Sequence, residues 1–152
     1  MAATPINQGV GTRTSLTVTG YGTLASATYV ASSAYNLDTN KPPDLVIEVE
    51  AATTNSPAGN KQVFAFVQVS MDGTNYTSGP TSSTTTTDEP DLIPLGPVPV
   101  NTGTTTHRQV FSLLRALGFM PKGVKVVLKN DLGVALTSGA VYTTEIQPTF
   151  GV

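Results

Sequence analysis

The chain has 152 residues and no Cys, which rules out disulfides, thiolate zinc sites and thiol catalysis. One domain of this length buries about two-thirds of its unfolded surface and needs no staple. Only 12% of residues are charged, 10 acidic against 8 basic with no run of either sign, so no basic stripe is present to meet nucleic acid.

Residues 1–14 carry Pro5, Gly9 and Gly11 without periodicity and are expected to form an extended N-terminal arm. MAATPINQGVGTRTS lacks the basic start and apolar middle of a signal peptide. No stretch reaches the roughly 18 apolar residues of a membrane span, so the reading is a soluble chain made in the cytosol, with no membrane partner. Residues 15–152 read as a single β-sandwich domain. Its first strand is expected where Leu16, Val18 and Tyr21 alternate with Thr17 and Thr19, and a weaker one over Thr28 to Ala31.

After the breaker Lys41-Pro42-Pro43, LVIEVEAAT predicts a strand with Val46, Glu48 and Glu50 on one face and Leu45, Ile47 and Val49 on the other. NSPAGN, Asn55 to Asn60, is a loop. KQVFAFVQVSM follows with Val63, Ala65, Val67 and Val69 on one face and Phe64, Phe66, Gln68 and Ser70 on the other. Being apolar on both faces at its start, it is placed mid-sheet. Asp72-Gly73 predicts a tight turn with a return strand from Asn75-Tyr76.

Thr81 to Asp91 is low-complexity and loop-like, part of a chain in which Thr is about one residue in six. DLIPLGPVPV has prolines at 94, 97 and 99, so it is expected as an edge strand or a surface strap. Within Thr106 to Phe119, Gln109 to Leu113 begins as a strand. A short helix or turn within 112–118 is the alternative, since Val110, Leu113, Leu114 and Leu117 have helical spacing. Val124 to Lys129, an Asn-Asp-Leu-Gly turn and a last strand over Ala140 to Ile146 complete the chain. Seven to nine strands without βαβ alternation predict an all-β fold, an antiparallel β-sandwich or jelly roll.

Catalytic readings are weak. His107 stands alone, without a nucleophile or an orienting acid in its pattern. Glu48 and Glu50 share a strand face with carboxylates roughly 7 Å apart. Glycosidase pairs, however, come from separate elements around a cleft, and no Trp is present for a sugar platform. A solvated face, or one meeting Lys and Arg of a partner, is preferred. Asp72 and Asn75 fit hairpin chemistry better than calcium. Neither a phosphate loop nor a nucleophile elbow occurs. The expectation is a non-enzyme with no catalytic, cofactor-binding or metal residues and no cofactor.

Two segments, FAFVQVSMDGTNYTSGP and ALGFMPKGVKVVLKNDLGVALTSGAVYTTEI, resemble the strand-turn-strand elements of small structural proteins of tailed bacteriophages. YNLDTNKPPDLVIEVE is similar but weaker. The resemblance implies a virion component, most like a capsid decoration (cement) protein on the outside of the major capsid protein shell, as a homo-oligomer with a trimer favoured. A tail, neck or fibre component is the alternative within that class. Outside it stands a carbohydrate-binding β-sandwich module, for which Tyr21, Tyr29, Tyr35, Tyr76 and Tyr142 are the platform candidates.

Overall fold

The computed structural model describes residues 6–80 and 89–150. Along the chain run β1 (Ile6–Val10), β2 (Thr14–Leu16), β3 (Tyr29–Ala31), β4 (Tyr35–Asn36), β5 (Asp44–Ala52) and β6 (Gln62–Ser70). Then follow β7 (Ile93–Pro99), β8 (His107–Ser112), helix α1 (Leu113–Leu117), β9 (Gly123–Asn130) and β10 (Ser138–Phe150). All pairings are antiparallel. One sheet has the order β1-β10-β5-β8, with β2 also on β10. The other has the order β3-β9-β6-β7, with β4 also on β9. The protein is an all-β sandwich with one short helix among the described residues.

Alternation creates the core. Leu45, Ile47, Val49 and Ala51 leave the inner face of β5 and meet Val63, Ala65 and Val67 of β6 and Val124, Val126 and Leu128 of β9 in one buried cluster. Removing such side chains from water supplies the main drive for folding, about 1.5–3 kcal/mol for each Val, Leu or Ile fully buried. The opposite face of β6 is buried too. There Phe66 joins Tyr29, Val127 and Leu92 in a second, smaller cluster. Leu92, from the connection between β6 and β7, closes over that face, so the β6 sheet is covered on both sides. This explains why β6 is apolar on both faces and why it lies between β9 and β7, as its sequence predicts.

Edges are set by local chemistry. β7 keeps Pro94, Pro97 and Pro99 at the rim of its sheet, where missing N–H groups cost no ladder bond and deny pairing to another chain. The helical alternative within 112–118 is what forms. Ser112 Oγ accepts from the Arg115 N–H at 3.1 Å, and Gly118 ends the helix in the left-handed region.

Three expectations change. Tyr21 lies in a 3-10 turn rather than in a strand, and β2 stops at Leu16. Its ring is buried against Gly139, where a Cβ would come within 2.6 Å of Tyr21 Cε1. No return strand starts at Asn75-Tyr76; only Thr77 reaches back, its N–H donating to Val69 O at 3.0 Å. The last strand is longer than 140–146, and part of residues 1–14 pairs with it. Thr81 to Asp88 of the low-complexity loop and residues 1–5 lie outside the described residues.

Candidate functional site

The outer face of the β5 sheet, unlike that of the β6 sheet, carries no buried cluster of its own among the described residues. Register sets its composition. Glu48 stands between Val110 of β8 and Tyr142 of β10, and Glu50 between Arg108 and Ala140. The alternation of β5 puts both carboxylates outward, as its sequence predicts. The cations that meet them come from the same chain.

Arg13, just before β2, donates from Nε to Glu48 Oε2 at 3.1 Å and from Nη2 to Glu48 Oε1 and Glu50 Oε1, both at 2.8 Å. Its guanidinium carbon lies 3.2 Å from the centroid of the Tyr142 ring, a cation–π stack. Arg108 Nε donates to Glu50 Oε1 at 2.7 Å. The result is a neutral array of two bases and two acids held flat on a sheet. The bonds to Arg13 lower the Glu48 pKa below the ordinary glutamate value and raise that of Arg13, and the bond to Glu50 raises that of Arg108. Both arginines are largely exposed, so water and salt screen these bonds.

Such an array has no poised acid, because each carboxylate already faces a guanidinium. The other titratable groups weighed in the sequence are likewise engaged. Asp72 accepts from the N–H groups of Asn75 and Thr74, from Asn75 Nδ2 and from Ser70 Oγ, at 2.7–2.8 Å. Those donors, the Asn75 N–H first, hold its carboxyl well below the usual range. His107 Nε2 sits 3.2 Å from Thr102 O and 3.4 Å from Thr102 Oγ1. Among the described residues no group of three or more His, Asp or Glu gathers as a metal set.

The five tyrosines do not form a platform. Tyr21 and Tyr29 are buried. Tyr35 donates to Glu145 at 3.0 Å, Tyr76 lies under Lys125, and Tyr142 lies under Arg13. An open groove of about 740 Å³ runs between β7 and β8, lined by the three β7 prolines, Phe111 and Arg115. It brings no second titratable side chain to Arg115.

Two exposed valines lie on the same sheet as the charged array, one of them next to it. Val110 is 55% exposed beside Glu48, and Val10 of β1 is 79% exposed. Sequence reasoning does not join the two arginines and Val110 into one surface. Arg13 lies in a stretch without pattern, and Val110 matches a helical spacing instead. The alternation in HRQVFS is a signal for Arg108 and Val110 on one face, but only the β5–β8 register joins that face to Glu48 and Glu50. No protein-family model matches this chain, and no curated protein matches it in sequence.

Proposed function

We propose that this chain is a structural protein of a tailed-bacteriophage virion, a decoration protein that binds the outside of the assembled major capsid shell and stabilises it, with no catalytic step of its own. The observation that carries the reading is the ribbon formed by β1 and the end of β10. β5 ends its pairing with β10 at Asp44 opposite Ile146, whereas β10 continues to Phe150 with only β1 beside it. The two-stranded ribbon therefore overruns the sheet by about 13 Å. A ribbon of that kind is marginal in water by itself and gains from lying on a neighbour.

Its root is firm. Buried Glu145 accepts from Tyr35, Asn40 and Gln147 at 2.7–3.0 Å, so the ribbon leaves the body in a fixed direction. Strand order adds support at the level of fold. Within the two five-stranded sheets, the orders β2-β10-β5-β8 and β3-β9-β6-β7 pass the chain from one sheet to the other in the manner of a double Greek key. We take the sandwich to be a jelly roll, an architecture used in viral capsids and also in lectins. The low charge of the chain fits a surface covered by neighbours.

Co-sedimentation with assembled, expanded shells tests the proposal, comparing the full chain with one lacking residues 1–10. The full chain should pellet with shells and raise their melting temperature, since a ligand of the assembled state stabilises it by mass action. The truncated chain should stay folded and bind more weakly. Failure to pellet with any shell form, together with firm binding to tail tips or to a glycan, would overturn it.

A further inference from the structure

The sequence holds one place where Asp or Asn is followed by Gly, Asp72-Gly73. Glycine offers its backbone nitrogen with no side chain to shield it, so an aspartate before glycine is prone to close on the main chain as a succinimide. In that step the Gly73 nitrogen attacks Asp72 Cγ and a C–N bond forms. The carboxyl hydroxyl leaves as water with the proton of the Gly73 amide. Water then opens the ring at either carbonyl. Opening at Cγ returns aspartate, whereas opening at the Asp72 backbone carbonyl leaves isoaspartate, with Gly73 joined to Cγ. The water lost is regained, so solvent is the only co-reactant. We propose that Asp72-Gly73 is a latent isomerisation site of this chain, and that the side chains of Ser70 and Asn75 hold it closed while the turn is intact.

Crowding does not protect the site. Residues 71–75 are exposed, and a Cβ at Gly73 would meet nothing within 4 Å among the described residues. Hydrogen bonds do protect it. Asp72 Oδ1 accepts from Ser70 Oγ and from the Thr74 and Asn75 N–H groups, each at 2.8 Å, and Oδ2 accepts from Asn75 Nδ2 at 2.7 Å. With donors on both oxygens, the carboxylate is not free to swing its carbon onto the Gly73 nitrogen. The same donors favour the ionised form, whereas the step that expels water needs the neutral acid. The nucleophile is engaged as well, since the Gly73 N–H donates to Ser70 Oγ at 2.9 Å.

Ser70 Oγ therefore grips both reacting groups at once, donating to the electrophile and accepting from the nucleophile. It is firmly placed. Ser70 ends β6, is 1% exposed, pairs with Gly123 of β9 and accepts the Lys122 N–H on its carbonyl at 3.0 Å. Isoaspartate would lengthen the main chain by a methylene and take the side-chain carboxylate away from its donors. The turn that held the site closed would then not re-form with the same bonds.

Long incubation of the folded protein in mildly acidic buffer, followed by peptide mapping with electron-transfer fragmentation, reads isoaspartate at position 72. The chain in the same buffer with guanidinium chloride gives the unprotected rate. No shell is involved, so the outcome is separate from that of the decoration reading. The folded parent should isomerise at least about tenfold more slowly than the denatured chain, and Ser70→Ala, which strips a bond from each reacting group, should recover about tenfold. Asn75→Ala keeps the backbone bonds and should recover less, and it covers the case in which Ser70→Ala fails to fold. Asn130→Ala leaves the Asp72 donors in place and should age like the parent, because the route is local opening of the turn and not global unfolding. A folded parent as fast as the denatured chain would overturn the proposal. So would Ser70→Ala and Asn75→Ala both as slow as the parent, or Asn130→Ala as fast as Ser70→Ala.

Discussion

Replacing Asn130 by alanine tests the account of how the last two strands are held in place. Asn130 is fully buried at the end of β9, and its side chain ties three backbone groups together. Nδ2 donates to Leu24 O at 2.8 Å and to Val134 O at 2.9 Å, and Oδ1 accepts from the Leu132 N–H at 3.0 Å. Leu24 O keeps a second donor, the Leu136 N–H at 3.0 Å, so alanine does not orphan it. Val134 O and the Leu132 N–H lose the bonds that Asn130 supplies. At about 1–3 kcal/mol for each buried group left unpaired, the expected loss is about 3 kcal/mol. Equilibrium denaturation read by linear extrapolation measures it. Asn130→Asp sharpens the test, because an ionised carboxylate keeps the Leu132 bond but faces two carbonyl oxygens. Its folded pKa is then raised, so the penalty is smallest below the unfolded value and grows as pH rises towards the folded one. A loss under about 0.5 kcal/mol for Asn130→Ala would refute the reasoning.

Three further outcomes are expected. Gly73 has φ +83°, and a Cβ there would meet nothing within 4 Å, so Gly73→Val should lose roughly 1–2 kcal/mol from backbone strain alone, and Gly73→Asn less. A valine variant that melts like the parent would remove the turn assignment. The Tyr21 hydroxyl is buried without a partner among the described residues, so Tyr21→Phe should be neutral or stabilising by up to about 1 kcal/mol. A clear loss in denaturation would mean the hydroxyl is bonded. The Asp72 carboxyl is held low by its four donors, so its contribution is present above the ordinary carboxylate range and lost as pH falls below it. Asp72→Asn should flatten that part of the pH–stability curve, and an unchanged slope would count against the role given to Asp72.

Much of the body is legible because period-two alternation and burial have one cause. Leu45, Ile47 and Val49 are apolar in alternate places because one face of β5 is core, and β6 is apolar on both faces because both are covered. The misreadings arise where backbone bonds, not side-chain pattern, decide. INQGV shows no alternation, and β1 exists only through its ladder with β10. The return strand expected at Asn75-Tyr76 is cancelled by Asp72 itself, which takes the Thr74 and Asn75 N–H groups that a ladder would have used. In TVTGYG the alternation is genuine, but Gly20 at φ +84° turns the chain and Tyr21 drops into the space beside Gly139.

The charged face is half legible for a related reason. Spacing puts Glu48 and Glu50 on one side of one strand, which is local information. Arg13 and Arg108 reach them across 35 and 58 residues of sequence, which only the sheet register supplies. The sparse charge of the chain takes on meaning once they are joined. Scattered singly, those four ions would each keep a hydration shell and hold a neighbour off. Gathered into a neutral array on a sheet face, each ion keeps a counterion within hydrogen-bond reach. A chain with few charges thus pairs four of them on one face, with exposed Val110 beside them.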